Sequence, residues 1–120
     1  EARARLNAIM QPRIRARLLQ ELEHAVQKPY CILSAPLLLE NGLDALCDAV
    51  LTIDVSEQTQ LLRGSRRDQQ QREAIAAIIA AQIPRAERLR RSHFMVNNEG
   101  NVERTYQQLT LLHQRFLTWA

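Results

Sequence analysis

The hydrophobic pattern of the chain centres on residues 30–55, where two short apolar runs flank a polar connection. The runs, Cys31–Ala35 and Ala49–Val55, have the length and the Ile, Val and Leu content of strands buried on both faces. Amphipathic helical patterns lie before and after them. This alternation predicts an α/β fold with a parallel sheet. Parallel sheets commonly hold their ligands where the strands end.

Two helical patterns precede the first apolar run. Residues 2–10 predict one helix, and Pro12 predicts the start of a second, because Pro is well tolerated at the first helical position. The second helix should bury a stripe of apolar side chains spaced four residues apart, and Pro29 should end it. The members of this stripe are Ile14, Leu18, Leu22 and Val26.

The helix predicted after the second run begins at Ser56, a favourable N-cap residue, and extends to about Arg67. Gly64 lies inside it and costs about 1 kcal/mol relative to Ala in a helix interior. Either the backbone approaches a neighbour closely at Gly64 or the helix is weak. A further helix, with the character of a lid, is predicted over Gln69–Ile83.

The last part of the chain contains one more strand and helix. Pro84 ends the preceding helix and opens another helical turn. Phe94–Val96 predicts a third short strand, followed by a polar loop. Asn101 is expected to cap the final helix.

Composition narrows the class of protein. With 120 residues, 46% apolar and 24% charged, the chain has the profile of one globular domain or a piece of one. No apolar run approaches the ~20 residues of a membrane span, and no leader pattern predicts export. Cys31 and Cys47 lack a CxxC spacing, which favours buried free thiols and a reducing cytoplasm. Because the first residue is Glu1 and not Met, we expect that an N-terminal part has been removed or left out.

The distribution of charge is more informative than the net charge of +3. Lys28 is the only lysine among 16 basic residues, and arginines are dense between Arg63 and Arg91. The guanidinium fork binds phosphate oxygens bidentately, so this segment suggests a phosphate-bearing ligand. A solvated helix surface is the alternative. Glu40, which follows three leucines beside a strand end, could face a ligand, whereas most of the leucines are expected in the core.

Several segments, in this order, together resemble the dephospho-coenzyme A kinase family. They are LNAIMQPRIRARL, APLLLENGLD, a second strand ending in Asp, SEQTQLLRGSRRD, AAQIPRAERL and VNNEGN. The resemblance covers nearly the whole chain. It implies transfer of the γ-phosphoryl group of ATP to the 3′-hydroxyl of dephospho-coenzyme A, with ATP and Mg²⁺ used by the complete enzyme. The partners it implies are the small-molecule substrates ATP and dephospho-coenzyme A, and we expect no nucleic-acid and no membrane partner.

The fold implied by the resemblance is a three-layer, P-loop NTPase-like parallel sheet, seen in part, with about three short strands and helix-rich substrate and lid segments. Residues 1–28 would form a helical substrate-side segment and 29–67 the core strands and a helix. Residues 68–92 would form lid-like helices, and 93–120 the last strand and the C-terminal helix. Together these would be the C-terminal part of a single kinase domain.

The site residues implied by the resemblance fall into two groups. PLLxE, beside the acceptor substrate, falls on Pro36, Leu37, Leu38 and Glu40. The nucleotide and phosphate side, which comprises the lid and the adenine side, takes its residues from QxxRxxxRD, AAQxxR and the Asn-Gly loop, the last of these near the adenine of ATP: Arg63, Arg67, Arg85, Asn98 and Gly100. No catalytic residue and no metal ligand is assigned in this chain.

Three departures from the family pattern qualify these expectations. Gln11 stands where a His before Pro is common, and Asn97 stands where an Asp is usual. No GxxxxGK[ST] phosphate loop occurs in the sequence. A P-loop cradles phosphates with backbone N–H groups, so we expect the chain to be inactive alone.

Two other readings of the sequence remain open. A non-catalytic, Arg-rich helical module could bind RNA or an acidic partner. The 4% aromatic content and the acidic middle of the chain count against it. A different nucleotide kinase that shares the lid architecture is the other alternative.

Overall fold

The computed structural model describes residues 1–119. Its elements, in order, are α1 (Ala2–His24), a 3₁₀ turn (Leu43–Leu46), β1 (Leu51–Asp54), α2 (Glu57–Asp68), α3 (Arg72–Ala81), α4 (Arg85–Arg90), β2 (Phe94–Asn97) and α5 (Val102–Leu117). The chain divides into two compact units, one of Glu1–Ile32 with the residues from His113 onward, the other of Leu33–Leu112. No helix in residues 1–119 is long and apolar enough to cross a membrane.

The N-terminal helix is single, and the prediction of a break at Pro12 is wrong. Pro12 lies inside α1. Proline removes one backbone donor, the N–H that would have bonded to the Ala8 carbonyl. The Ala, Leu, Met and Arg residues on both sides are good helix formers and carry the helix through this interruption.

The predicted buried stripe on this helix is also wrong. No residue of α1 is buried, and Ile14 is exposed. Val26 lies beyond the end of α1, with 78% of its surface exposed. A periodic apolar stripe is buried only where a second apolar surface covers it, and the period alone does not supply that surface.

The first unit also contains packed aromatic side chains, which come from the segment after α1 and from the C-terminal end of the chain. The ring of Tyr30 meets the ring of Phe116 edge-on at 5.4 Å between centroids, and Phe116 lies 5.3 Å from Trp119. The Tyr30 hydroxyl lies 2.5 Å from His113 Nδ1. These contacts attach the segment after α1 to the end of α5.

The core of the second unit is a parallel pair of strands. β1 and β2 pair with Leu51 opposite Phe94 and Asp54 opposite Asn97, which confirms the parallel sheet and the strand predicted at Phe94–Val96. His93 extends the pairing by one residue, because its backbone N–H donates to the Val50 carbonyl and its Nδ1 accepts from the Val50 N–H. Val96 is fully buried at the centre of this unit.

The strand predicted at Cys31–Ala35 is absent, so the described residues form two strands and not about three. A strand needs a backbone partner, and no described segment pairs with residues 31–35. The expectation of burial on both faces is wrong as well, since Ile53 and Met95 are about half exposed. The α/β class stands, whereas the three-layer arrangement and the proposed division at 28, 67 and 92 stay predictions.

The helix α2 begins and packs as its sequence predicts. The Ser56 hydroxyl accepts a hydrogen bond from the Thr59 N–H at 3.2 Å, which confirms the N-cap. Gly64 faces the buried Ile75 of α3, and a Cβ at Gly64 would lie 3.0 Å from Ile75 Cγ2. The glycine therefore marks a close approach of two helices. Gln69 adopts a left-handed conformation (φ 51°) that ends α2, so α3 begins at Arg72 and not at Gln69.

We expect Gly64→Ala to lower the free energy of unfolding by about 1 kcal/mol. The gain in helix propensity is outweighed by overpacking against a stiff, β-branched side chain. Ile75→Leu removes the branch at Cβ, so the double variant should recover much of the loss. The free energies of unfolding of wild type, the two single variants and the double variant are measured by urea unfolding, monitored by circular dichroism. A Gly64→Ala protein more stable than wild type would show that α2 and α3 are not in close contact.

Candidate functional site

The carboxyl ends of the two strands lie side by side and lead into the candidate site. Asp54 ends β1 opposite Asn97, the last residue of β2. The chain then forms a loop over residues 97–101 before α5 begins, and we call it the adenine-side loop after the role that the family resemblance implies for it. The Asn98 N–H donates to the Asp54 carbonyl at 2.8 Å. The loop is thus joined to the end of β1 by a backbone hydrogen bond.

The start of α5 holds the same loop from the other side. Gln108 bonds to both backbone groups of Asn97, at 2.9 Å to its N–H and 2.8 Å to its carbonyl. The Thr105 hydroxyl donates to Asn98 Oδ1 at 2.9 Å. The Arg104 N–H donates to Asn101 Oδ1 at 3.0 Å, which confirms Asn101 as the cap of α5.

Arg63 reaches the adenine-side loop from α2. Its Nη1 donates to the Asn98 carbonyl at 2.7 Å, and its Nη2 donates to the Glu99 carbonyl at 3.3 Å. The structure therefore brings together two of the residues expected on the nucleotide side, Arg63 and Asn98, with Gly100 two residues beyond Asn98 in the same loop. That these residues contact a nucleotide stays a prediction.

Glu99 is part of this arrangement and was missed by the sequence reasoning. Its Oε1 accepts from the Ser56 N–H, and its Oε2 accepts from the Thr59 hydroxyl at 2.7 Å. These hydrogen bonds, the one from Ser56 first, lower the pKa of the Glu99 carboxyl. No spacing in the sequence relates Glu99 to the first turn of α2. The only signal was an acid in a loop next to a helix that needs its N-terminal donors satisfied.

Arg85 forms a bidentate ion pair with the carboxylate that ends β1. Its Nε donates to Asp54 Oδ1 at 2.8 Å and its Nη2 to Oδ2 at 2.6 Å. Asp54 is 5% exposed, whereas the Arg85 side chain is 41% exposed. Hydrogen bonding to Asp54 raises the pKa of Arg85. In this structure the guanidinium expected to face phosphates is held at the end of the sheet.

Arg67 has a different environment from the other two arginines. Its described partner is the neighbouring Asp68, with Nε 2.7 Å from Oδ1, and the side chain is 79% exposed. The hydrogen bond between them raises the pKa of Arg67 and lowers that of Asp68. None of the described contacts brings Arg67 to the adenine-side loop. An exposed pair of this kind costs little to separate.

The residues expected beside the acceptor, 36–40, lie in a compact turn, which we call the acceptor-side turn after that expectation. The Asn41 N–H donates to the Leu37 carbonyl at 3.0 Å, and the Leu43 N–H donates to the Leu38 carbonyl at 2.9 Å. Gly42 takes a left-handed φ of 66° at the end of this turn. Leu39 is buried and anchors it, which leaves Leu37, Leu38 and Glu40 half-buried and Pro36 exposed.

The acceptor-side turn is fixed to α4 rather than to the adenine-side loop. The 3₁₀ turn Leu43–Leu46 follows the acceptor-side turn along the chain and contains Asp44. Nη2 of Arg91, the C-cap residue of α4, lies 3.1 Å from Asp44 Oδ2. Among residues 1–119 no hydrogen bond or ion pair joins residues 36–40 to residues 97–101. The two groups of predicted site residues are therefore placed by separate contacts.

Neither the acidic nor the cysteine residues form a metal site in the part of the chain that the structure describes. No group of three or more His, Cys, Asp or Glu side chains in residues 1–119 could hold a metal ion. Cys31 is exposed and Cys47 is half-buried, with its thiol donating to the Leu43 carbonyl at 3.7 Å, contrary to the expectation that both are buried.

The pKa of Glu99 predicts a pH dependence. A carboxyl whose folded-state pKa lies below its ordinary value of 4.5 stabilises the fold above that value, and the contribution is lost as the pH falls through the folded-state pKa. The difference in urea midpoint between wild type and Glu99→Gln should therefore be constant above about pH 5.5 and shrink below about pH 4.5. Glu103→Gln, an equal change of charge in the exposed first turn of α5, is the control. A difference that grows on acidification contradicts the assignment.

The buried Asp54 predicts unequal effects of two similar substitutions. Asp54→Asn should lower the urea midpoint more than Asp68→Asn, because it removes a buried carboxylate that both donors of the Arg85 fork hold. Arg85→Lys keeps the charge but loses the fork, so it should have an intermediate effect. Equal midpoints for the two Asn variants would show that the Asp54–Arg85 pair contributes no more than an exposed pair.

Comparison with known proteins identifies the family. The family model for dephospho-CoA kinase matches residues 1–104. A dephospho-CoA kinase of Idiomarina loihiensis is 46% identical over 112 residues, which cover 93% of this chain and 55% of the relative. A dephospho-CoA kinase of Aggregatibacter actinomycetemcomitans is 44% identical, over 96% of this chain and 57% of the relative. One of Acinetobacter baylyi is 44% identical, over 98% and 60%.

These matches extend along almost the whole chain, whereas the chain spans little more than half the length of the relatives. The segments that carry the match include both strands, the acceptor-side turn and the adenine-side loop, since the family model ends at residue 104. The chain therefore belongs to the dephospho-CoA kinase family.

Proposed function

We propose that the complete protein transfers the γ-phosphoryl group of ATP to the 3′-hydroxyl of dephospho-coenzyme A, the last step of coenzyme A synthesis. Membership of the family supports this, as does the name dephospho-CoA kinase carried by the relatives. The chain would be the C-terminal part of one P-loop kinase domain with a three-layer sheet, acting in the cytoplasm. Residues 1–28 would lie on the substrate side and 68–92 in the lid.

The observation that best supports this proposal is the convergence of three segments at the carboxyl ends of β1 and β2. Asp54, the adenine-side loop and the first turns of α2 are joined there by hydrogen bonds. The carboxyl ends of parallel strands are where α/β proteins bind ligands. We propose that Asn98 and Gly100 lie against the adenine of ATP at this place.

An exposed arginine would neutralise charge along the phosphates. Phosphoryl transfer depends mostly on positioning and on electrostatic stabilisation of the transferred group. Arg67 is the residue best able to do this, because its one partner among residues 1–119 is Asp68, in an exposed pair. Arg63 and Arg85 are held by the adenine-side loop and by Asp54, so they would order the nucleotide side of the site without meeting the transferred phosphate.

The acceptor would lie against the compact turn. Leu37 and Leu38 offer a half-buried apolar surface beside Pro36. Glu40, also half-buried, could accept a hydrogen bond from a hydroxyl of the acceptor. We assign no catalytic base and no metal ligand to this chain. Mg²⁺ bound with ATP in the complete enzyme would neutralise charge on the β- and γ-phosphates.

The proposed activity is tested by the products formed. The complete protein should convert ATP and dephospho-coenzyme A to ADP and a 3′-phosphorylated product, identified by mass spectrometry and ³¹P NMR. The 120-residue chain, which contains no GxxxxGK[ST] segment, should give no product. Phosphorylation of AMP or CMP in place of dephospho-coenzyme A would indicate another nucleotide kinase. Binding of a short RNA without turnover would support a non-catalytic module.

The role of Arg67 has its own test. Arg67→Ala should lower kcat/KM of the complete protein roughly 100-fold, as expected when a donor to the transferred group is lost. Arg66→Ala is the matched control, since Arg66 is the exposed neighbour of Arg67 on the same helix. Equal losses in the two variants would mean that general positive charge, and not a phosphate contact, is what matters.

A further inference from the structure

The adenine-side loop is fixed to the first turns of α2 by two contacts that the family resemblance does not assign. One is the Glu99 carboxylate, which accepts hydrogen bonds from the Ser56 N–H and the Thr59 hydroxyl. The other is the Arg63 guanidinium, which donates to the carbonyls of Asn98 and Glu99. We call these two contacts the loop latch.

The carboxylate occupies the position that an external anion would take at a helix N-terminus. Backbone N–H groups and the helix dipole make the first turn of a helix attractive to negative charge. In this chain Glu99, from 43 residues further along, supplies that charge to α2 at Ser56. The first turn of α2 therefore binds the carboxylate of the loop instead of a phosphate.

Arg63 strengthens the same attachment from one turn further along α2. Its fork spans two successive carbonyls, so the guanidinium fixes the path of the backbone from Asn98 to Glu99. The charge on Arg63 also favours ionised Glu99, since it contributes to lowering the pKa of that carboxyl. The two contacts support each other.

The remaining bonds of the loop leave little freedom once the latch is closed. Asn98 N–H is bonded to the Asp54 carbonyl, and Glu99 N–H is bonded to Asn97 Oδ1 at 2.8 Å. The backbone donors and carbonyls of Asn98 and Glu99 are thus all used inside the protein. What the loop can present to a base is its shape and the residues at its outer end.

We infer that Glu99 and Arg63 are positioning residues for the nucleotide base, which act by latching the adenine-side loop onto α2 and not by touching phosphate. Only the kinetic part of this inference, the effect on the KM for ATP, rests on the proposed function. The latch should set the KM for ATP, because a displaced loop must be ordered again each time a nucleotide binds. It should leave kcat and the KM for dephospho-coenzyme A largely unchanged.

The structural part is tested without activity. In the complete protein, hydrogen exchange of the Ser56 and Asn98 amides should be at least about tenfold faster in Glu99→Ala than in wild type. Glu99→Gln keeps one carbonyl acceptor and should be nearer to wild type. Glu103→Ala, an exposed acid four residues further along, should leave both rates unchanged. Unchanged exchange in Glu99→Ala would overturn the latch, whatever the enzyme catalyses.

The kinetic part separates positioning from phosphate binding. Glu99→Ala and Arg63→Ala should each raise the KM for ATP about tenfold, with kcat changed less than about twofold. The double variant should resemble either single variant, since both act on one loop. Multiplied effects, or a large fall in kcat for Arg63→Ala, would assign Arg63 to the phosphates and overturn the inference. Wild-type protein that makes no product, with the exchange result intact, would refute the proposed function alone.

Discussion

The parallel pairing of β1 with β2 is the constraint on which the candidate site depends. It sets Asp54 opposite Asn97, residues that are far apart in sequence, and so brings the start of α2 next to the loop that follows β2. The Arg85 pair, the Arg63 contacts and the Glu99 carboxylate all form at this junction. With two strands in residues 1–119, a slip of one residue would turn the side chains of one strand to the other face relative to its partner, and Asp54 would no longer lie opposite Asn97.

Three arginines near the candidate site bind three different kinds of partner. The Arg85 fork matches a buried carboxylate, the Arg63 fork matches two backbone carbonyls, and the Arg67 fork meets an exposed neighbour. Desolvation makes the first of these pairs the most costly to break, while solvent screens the last. The restraint on the guanidinium group therefore decreases from Arg85 to Arg63 to Arg67. This order supports the proposal that Arg67, the least restrained of the three, neutralises charge on the phosphates.

Local signals in the sequence were read correctly where local chemistry decides the outcome. The caps at Ser56 and Asn101 and the break at Pro84 follow from one residue and its immediate neighbours. At Gly64 the sequence left two alternatives open, and the structure shows the close approach. Cys31–Ala35 and the stripe on α1 were misread because burial and strand formation require a partner surface. Glu99 could not be found, since its partners lie 40 and 43 residues away and become neighbours only through the sheet.

Photolabelling tests the central claim, that nucleotide binds at the carboxyl end of this sheet, most directly. The complete protein would be irradiated with 8-azido-ATP, digested with trypsin and mapped by mass spectrometry. We expect labelling in the peptide of residues 92–104, which contains the adenine-side loop, and protection by ATP. Labelling confined to the Arg-rich residues 3–17 of α1, removed by RNA and not by ATP, would contradict it.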